Sequence, residues 1–502
     1  MNYFADIHCH PTLFPFLLDK GTVWVENKNM LSPSQADFIK LARGNVRLVF
    51  VSLYPVEQGF LDLEALEMHR GDVTDFLANL LLEIPEGKVN EIQSAEHDYF
   101  FDLMKEYRLL CDHADPVVQE IGKGKNKRTF RYRIAGDFEE VKQILSLDDQ
   151  LNMTGPDSNT IAVILTIEGG HALGTGEPRT LDATEEELKE KLRTNISKLK
   201  LLGPAGQEGR HAPLFITLSH HFWNQLCGHC VSLPGMMNKI FDQNEGINKT
   251  VCELGKFVVD ELLKKGPGRR ILIDTKHMPT EAKKWYYYTY LPQRELATGE
   301  RIPIISSHSA VNGKETMDKA RISGDPSTLH QTADAMYDDS TEFNNWDINL
   351  TDEEIGIIHD SGGLIGLNMD KRIIQGKRML ERIKVNPDSA PGTNQYESLW
   401  AEPVLMNILH IAEVIYEMKG DVPAIWENIT IGSDFDGMIS PLWAYSNAES
   451  FRTLDRLLFE KLKIHVNTAG FLINKTDDQI RSIVDGIMWG NAIRFLHANF
   501  NH

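Results

Sequence analysis

The stretch from Phe4 to His10 reads FADIHCH, a short apolar run that ends in histidines, and it sets the pattern of the chain. Seven further runs follow it, and all but one of the eight close on His, Asp or Glu. They are RLVFVSLYP from Arg47, IAVILTIEGGH from Ile161, LFITLSHH from Leu214, ILIDTKH from Ile271, IPIISSHS from Ile302, GLIGLNMD from Gly363 and ITIGSDFDG from Ile429. Continuous apolar runs of this kind indicate strands that are buried on both faces, as in a parallel sheet covered by helices.

Helical segments lie between these runs. Thr184 and Glu187 form a capping box, and apolar residues then recur at helical spacing until Gly203. Thr351 and Glu354 begin another helix in the same way. Eight strands separated by helices predict an α/β fold, the (β/α)8 TIM barrel, whose active sites lie at the C-terminal ends of the strands. The polar endings of the runs fall at that end.

The length of the chain predicts insertions. It has 502 residues, whereas one barrel typically needs roughly 250. We assign residues 1–55 and 160–502 to the barrel and residues 56–159 to an inserted α+β subdomain. Residues 310–350 leave the predicted active-site end directly after His308, and form either a lid over the site or a surface excursion.

Composition excludes several classes of protein. The 52 basic and 72 acidic residues give a net charge of -20, which argues against nucleic acid or an anionic membrane as a partner and leaves a small-molecule substrate. No apolar stretch approaches the ~20 residues that cross a bilayer, and the first strand begins close to Met1, so we expect a cytoplasmic protein. Five cysteines in so long a chain fit a reducing compartment.

The polar endings have the residue types of a metal centre. His8 and His10 are two positions apart, so their side chains share one face of an extended strand and can bind one ion. An isolated pair of this kind is weak evidence, because such histidines are more often structural. Here five more residues each end a separate run: Glu168, His220, His277, His308 and Asp434. Coincidence across so many strands is hard to sustain, so we predict a metal centre.

Several of these motifs resemble those of one known family. The motifs are EGGH from Glu168, LSHH from Leu218, DTKH from Asp274, SSHS from Ser306 and SDFDG from Ser433. At these positions the chain resembles the membrane (renal) dipeptidase family, peptidase family M19 of the amidohydrolase superfamily. The closing WGNAIRFL from Trp489 is similar to that family's C-terminal Gly-x-Asn-x-x-Arg signature. The resemblance covers the barrel strands and the last helix, and does not reach the long insertions.

The resemblance implies a barrel of the metal-dependent hydrolase type with large inserted segments, two divalent metal ions, taken as zinc, and a homodimer. It also implies a ligand set. The first zinc would be held by His8 and His10, both ions would be bridged by Glu168, the second would be held by His277 and His308, and Asp434 would lie beside the first.

The implied reaction is hydrolysis of an amide bond without an acyl-enzyme. Two ions that share a carboxylate can lower the pKa of a shared water, so that a metal-bridging hydroxide attacks the amide. His220 would stabilise the charge that develops on the carbonyl oxygen. Asp434 would accept the proton of the water and pass it to the leaving nitrogen.

The chain departs from the family pattern at two places. The family's first motif is His-x-Asp, whereas this chain has His10 at the Asp position, as is common in the wider superfamily. The family also carries an Arg shortly after the equivalent of His308, where it meets the substrate carboxylate. Here that stretch reads SAVNGKETMDKARI, in which Lys319 and Arg321 are the candidates. Because Lys lacks the bidentate fork of Arg, the resemblance predicts hydrolysis more strongly than dipeptide specificity.

A further motif, CGHC from Cys227 to Cys230, has the spacing of thiol oxidoreductases. Such motifs open a helix after a strand, whereas this one follows His220 in a loop, so we interpret it as unrelated to redox chemistry. An accessory zinc site at Cys227, His229 and Cys230 is the other alternative. Four residues near the predicted ligands are expected to support the site, the two acids by orienting ligands: His171, His221, Asp274 and Asp436.

Three functional hypotheses follow. The first is a binuclear zinc dipeptidase that cleaves short peptides. The second is an amidohydrolase that acts on a non-peptide amide, a lactone or an amine. The third is a non-catalytic barrel scaffold that binds a partner through residues 56–159.

Overall fold

The computed structural model describes residues 3–29, 33–61, 83–154, 159–177, 180–233, 240–320, 342–386, 390–420, 423–465, 470–472 and 475–501. Its strands are β1 (Phe4–Cys9), β2 (Val46–Leu53), β3 (Gln119–Ile121), β4 (Arg128–Ile134), β5 (Thr160–Glu168), β6 (Phe215–Thr217), β7 (Leu272–Asp274), β8 (Ile305–Ser309), β9 (Leu364–Leu367) and β10 (Ile429–Ile431).

The α-helices of the described residues lie between these strands and after the last of them. The first eight are α1 (Leu13–Leu17), α2 (Phe38–Arg43), α3 (Glu86–Gln93), α4 (Tyr99–Asp112), α5 (Phe138–Leu145), α6 (Glu185–Lys200), α7 (Glu253–Leu263) and α8 (Thr280–Lys284). The others are α9 (Leu291–Thr298), α10 (Met317–Ala320), α11 (Asp352–Asp360), α12 (Lys377–Lys384), α13 (Asn394–Lys419), α14 (Phe451–His465), α15 (Asp477–Asp485) and α16 (Asn491–Asn499).

Eight parallel strands form a nearly closed barrel in the order β1, β2, β5, β6, β7, β8, β9 and β10. Beyond β10 the chain meets β1, where Asp434 N donates to His8 O and His10 N donates to Phe435 O, each over 2.9 Å. Every residue of β1 and β2 is buried, as continuous apolar runs predict for a sheet covered on both faces. The predicted (β/α)8 barrel is confirmed.

Part of the segment 56–159 joins the barrel sheet. The strand β4 pairs with β3 in an antiparallel hairpin and, on its other edge, with β5 in parallel. This edge of β5 is available because β6 pairs only with Ile167 and Glu168 at its end. Residues 62–82 and 155–158 of the segment lie outside the described residues. The division of the chain into a barrel and an inserted subdomain stays a prediction.

The predicted capping boxes are both present. Thr184 caps α6 with Glu187, and Thr351 caps α11 with Glu354. In the predicted lid segment 310–350, residues 321–341 lie outside the described residues, and Val311 and Leu350 form a parallel bridge. The lid therefore stays a prediction.

The helix α13 is long and apolar. By length and composition an 18-residue window of α13 could cross a membrane, in contrast to the expectation that no apolar stretch approaches that length. Within the protein 61% of that window is buried, and α13 packs on α14 and α11. A helix buried by its neighbours in this way is a core helix.

Candidate metal centre

Glu168, the last residue of β5, lies at the centre of the converging strand ends. Its Oε1 is 3.3 Å from His8 Nε2, and its Oε2 is 3.1 Å from His10 Nε2. The two Nε2 atoms of this histidine pair are 3.2 Å apart. The His-x-His strand end and the carboxylate are therefore adjacent, as the sequence predicted.

A second pair of histidines approaches the same carboxylate from β7 and β8. Glu168 Oε1 is 3.4 Å from His308 Nε2 and 3.8 Å from His277 Nε2. These two Nε2 atoms are again 3.2 Å apart. A single carboxylate thus lies between two histidine pairs, which is the arrangement of a bridging ligand.

Asp434, which follows β10, faces the first pair. Its Oδ1 is 3.6 Å from His10 Nε2 and 3.9 Å from His8 Nε2. Its Oδ2 is 4.0 Å from His308 Nε2 and accepts a hydrogen bond from Asn368 Nδ2 over 3.3 Å. Asp434 therefore borders both histidine pairs, and Asn368 fixes its orientation.

The converging atoms suit metal ions. Two overlapping groups each have their ligand atoms within 4.8 Å of one another: His8, His10, Glu168 and Asp434, and Glu168, His277 and His308. All six residues are at most 8% exposed. Glu168 Oε1 has no hydrogen-bond donor, although it is buried, and buried carboxylate oxygens of that kind are rare. Imidazole nitrogens and carboxylates are the ligands that zinc prefers.

Two of the six residues have an unusual backbone conformation. His277 has φ of 65° and Asp434 has φ of 62°, the left-handed region that residues other than glycine rarely adopt. Holding a residue there costs on the order of 1–3 kcal/mol, and such strain concentrates at functional sites. The unusual backbone thus falls on two residues of the converging set.

The charges of the site favour a cation. Burial would raise the pKa of Glu168, but the charges of His220 and His8 outweigh burial and hold the pKa well below its usual value. Burial likewise opposes a charge on His10, yet hydrogen bonds to Asp434 and Glu168 raise its pKa to about 10. The two carboxylates thus attract positive charge to the space between them.

The second histidine pair is kept neutral. Burial, followed by the charges of His220 and His221, holds the pKa of His277 well below its usual value. Burial also lowers the pKa of His308, and His8 adds to this effect. Neutral imidazole is the form that binds a metal ion.

Hydrogen bonds beyond the ligands orient one of them. His308 Nδ1 lies 2.8 Å from Ser307 Oγ, which donates to Asp274 Oδ2 over 2.5 Å. Asp274 therefore positions His308 through Ser307, in agreement with its predicted role. The same prediction for Asp436 is wrong. Its carboxylate accepts hydrogen bonds from Gln35 N and Ala36 N, and so it anchors a loop instead of a ligand.

His220, the predicted oxyanion-stabilising residue, lies beside the centre. Its Nε2 is 3.5 Å from Glu168 Oε2, and its Nδ1 is 2.6 Å from Glu57 Oε2. Sequence reasoning missed Glu57. Glu57 lies two positions after the run RLVFVSLYP, the one run that does not close on His, Asp or Glu. That missing polar ending was the available signal for a functional acid just beyond the run.

The neighbouring histidines have structural contacts. His171 Nε2 is 2.7 Å from Pro55 O, and His221 Nδ1 is 2.6 Å from Ser232 Oγ. These contacts agree with the supporting roles expected for both residues.

The CGHC motif is buried away from solvent. Cys227, His229 and Cys230 are all 0% exposed. His229 Nδ1 and Nε2 lie 3.0 and 2.9 Å from the carbonyl oxygens of Cys230 and Glu245, so neither nitrogen is directed at a metal. Burial raises the pKa of Cys227 to about 12, which disfavours the reactive thiolate. Neither the redox nor the accessory zinc alternative gains support.

The stretch after His308 offers no cation to the centre among its described residues. Lys319 is 57% exposed and pairs with Glu315. Arg321, the other candidate for the family's Arg, lies outside the described residues.

Comparison with solved structures agrees with this architecture. The probable dipeptidase PvdM from Pseudomonas aeruginosa matches 98% of this chain and 94% of its own, with a TM-score of 0.50 and 15% identity. A dipeptidase of metallopeptidase family M19 matches 100% and 99%, with a TM-score of 0.48 and 14% identity. A metallopeptidase from Rhodobacter sphaeroides, bound to a phosphinate mimic of L-Ala-D-Ala, matches 99% and 99%, with a TM-score of 0.48 and 14% identity.

These comparisons concern the fold. The similarity to PvdM shows that the two chains share the barrel fold. No family model matches the chain, and no curated protein matches it.

Proposed function

We propose that this protein is a metal-dependent hydrolase of amide bonds, a dipeptidase that binds two zinc ions. One observation carries the proposal: ligand atoms from the ends of four barrel strands converge on the carboxylate of Glu168, which ends a fifth. A scaffold without catalytic function has no reason to keep so many buried, mutually repelling or unpaired polar groups together.

The two overlapping groups define the metal positions. The first ion would be held by His8, His10, Glu168 and Asp434, and the second by Glu168, His277 and His308. When bound, such ions polarise an amide carbonyl and make water nucleophilic at neutral pH.

His220 and Asp434 supply the remaining chemistry. Burial opposes a charge on His220, but Glu57 and Glu168 outweigh burial and raise its pKa. A protonated His220 can donate from Nε2 to the carbonyl oxygen as negative charge develops there, while Nδ1 donates to Glu57. Asp434 can take a proton from the attacking water and deliver it to the leaving nitrogen, because its carboxylate borders both histidine pairs.

The cavity beside the centre is small. It has a volume of about 40 Å³, and its apolar lining includes Phe60, Ile348 and Met438. Since a single buried water needs about 10–15 Å³ of this volume, the cavity has room for about three waters, and even a dipeptide requires movement of its wall.

Hydrolysis of a dipeptide panel by zinc-loaded protein tests the proposal. We expect turnover of dipeptides, including those with a D-residue at the second position, and little turnover of longer peptides. Absence of turnover from protein that holds two zinc ions would contradict the peptidase assignment. In that case amides, lactones and amines of other kinds are the next substrates to assay, a possibility favoured by the exposed position of Lys319.

Glu57 is expected to act by positioning His220. In Glu57→Gln we expect kcat/KM to fall by about 10- to 100-fold, the usual effect of losing a partner of an active-site ligand. The alkaline limb of the pH profile should move to lower pH, since the charge of Glu57 raises the pKa of His220. Glu106 is also buried, but it accepts from Thr12 Oγ1 and Tyr54 N. Glu106→Gln should leave the limb in place, and an unmoved limb in Glu57→Gln would refute the role.

The buried cysteines should be dispensable. We expect Cys227→Ala and Cys230→Ala to keep kcat/KM within about threefold of the wild type, because buried neutral thiols take no part in catalysis. The measurement is dipeptide turnover with and without a reductant. Loss of activity in both variants at full zinc content would reopen the redox alternative.

The cytoplasmic location, the homodimer and the small-molecule partner stay predictions. Light scattering on the purified protein would decide the oligomeric state.

A further inference from the structure

Lys276, on the wall of the metal centre, has no ion pair with an acid among the residues that the structure describes. It follows β7 directly, is 2% exposed and lines the same cavity as His277 and His308. Among the described residues its Nζ has one hydrogen-bond contact, the carbonyl oxygen of Ile348 at 3.5 Å, which is beyond the usual range. No carboxylate oxygen of these residues lies within 4.0 Å of Nζ. An ammonium carries three donors, so most of its capacity is unused.

Two cations near Lys276, Arg372 and Lys283, have their charge matched by an acid. Arg372 lines the cavity too, but its Nε lies 3.0 Å from both carboxylate oxygens of Asp370 and its Nη2 2.6 Å from one of them. Lys283 is buried and pairs with Glu354 over 2.9 Å. Lys276 differs from both because no acid forms an ion pair with it: Asp434 lines the same cavity and acts on its charge without direct contact.

A buried charge is unfavourable unless an opposite charge meets it. The fold therefore keeps at Lys276 a group that destabilises it when the cavity holds no anion. The retained charge is explained if an anionic group of the substrate enters the cavity and forms an ion pair with Lys276.

We propose that Lys276 is the specificity-determining residue of this site and binds a carboxylate on the substrate. Because Lys276 and His277 are consecutive and line one cavity, the carboxylate would lie close to the amide that is cleaved, as it does in a short peptide with a free C-terminus. The kinetic test of this inference rests on the proposed hydrolase function. The inference places the substrate carboxylate at the end of β7, whereas the family pattern places it at the stretch after His308.

The test compares a dipeptide that has a free carboxylate with the same dipeptide as a C-terminal carboxamide. We expect wild-type protein to prefer the carboxylate by about 10- to 100-fold in kcat/KM, as a hydrogen bond to a charged group implies. Lys276→Met should reduce the preference to within about threefold, with zinc content and turnover of the carboxamide unchanged. Lys319→Met, which removes an exposed lysine, is the matched control and should keep the preference.

Two kinetic results would overturn the proposal. The first is a preference that persists in Lys276→Met. The second is an equal loss of turnover on both substrates, which would mean that Lys276 acts on the reaction itself. If Lys276→Met loses zinc or fails to fold, Lys276→Gln, which keeps a polar chain of similar length, takes its place with the same expectations.

A binding measurement separates this inference from the proposed function. If the zinc-loaded protein cleaves neither substrate, the hydrolase assignment fails, and the anion site is then judged by the Tm in propionate against chloride at equal ionic strength. We expect propionate to raise the Tm of the wild type but not of Lys276→Met. An equal rise in both proteins, or no rise in the wild type, would overturn the proposal.

Discussion

Replacing Glu168 by Ala is expected to remove metal from both positions and to lower kcat/KM by at least about 10³-fold. Loss of a group that merely supports a metal ligand lowers metal affinity or activity by about 10- to 100-fold. A larger effect is expected at Glu168, because it is the one carboxylate shared by both ligand groups. Its oxygens lie 3.1–3.4 Å from the Nε2 atoms of His8, His10 and His308. Zinc content and dipeptide turnover, measured on the same preparation, check the result.

Asp455→Asn is the control for this variant. Asp455 is also an acid of low exposure, 13%, but it pairs with Arg481 and belongs to neither ligand group. We expect it to keep both ions and its activity. If Glu168→Ala keeps two ions, or loses one and retains activity, Glu168 is not a bridging ligand.

Replacing Asp434 by Asn is expected to have the second-largest effect. The substitution keeps the shape of the side chain but removes its ability to accept a proton, so we expect kcat to fall by about 10²- to 10⁴-fold, the usual contribution of a general acid or base. At least the ion held by Glu168, His277 and His308 should remain, since that group does not include Asp434. Turnover and zinc content together separate a lost proton acceptor from a lost metal.

Asp436→Asn is the matched control, two positions along the same loop. Asp436 accepts hydrogen bonds from Gln35 N and Ala36 N, so we expect a lower Tm with kcat within about threefold of the wild type. The weaker acceptor should cost about 1–3 kcal/mol of the free energy of unfolding. Equal losses of kcat in Asp434→Asn and Asp436→Asn would mean that both act through loop structure alone.

The barrel could be predicted because its signal is local. Strands buried on both faces must be continuously apolar, and β1 and β2 are. Helix starts were equally readable, since Thr184 and Thr351 cap their helices within three residues. The ligand set followed because the C-terminal ends of parallel strands meet at one end of a barrel.

The missed features depend on contacts between distant parts of the chain. Glu57 and His220 are separated by 163 positions, and no periodicity links them. Asp436 was expected to orient a ligand because it stands beside one in sequence, but its left-handed backbone, with φ of 64°, accompanies hydrogen bonds to residues 35 and 36. Nothing in the sequence around Lys276 indicates that this lysine is buried or that its ammonium group has only one long hydrogen-bond contact among the described residues.

The strand β4 could be predicted only in part. Apolar and polar residues alternate over 129–134, which is typical of a hairpin strand, and β4 pairs with β3. Its second pairing, with β5, depends on how short β6 is, which the pattern of β4 cannot reveal.

Diffraction from crystals of zinc-loaded protein at the zinc absorption edge tests the proposed two-metal centre directly. We expect two anomalous peaks, one on each side of the Glu168 carboxylate, the first bordered by His8 and His10 and the second by His277 and His308. The absence of a peak at Glu168 would refute the two-metal centre, as would a single peak that both histidine pairs share.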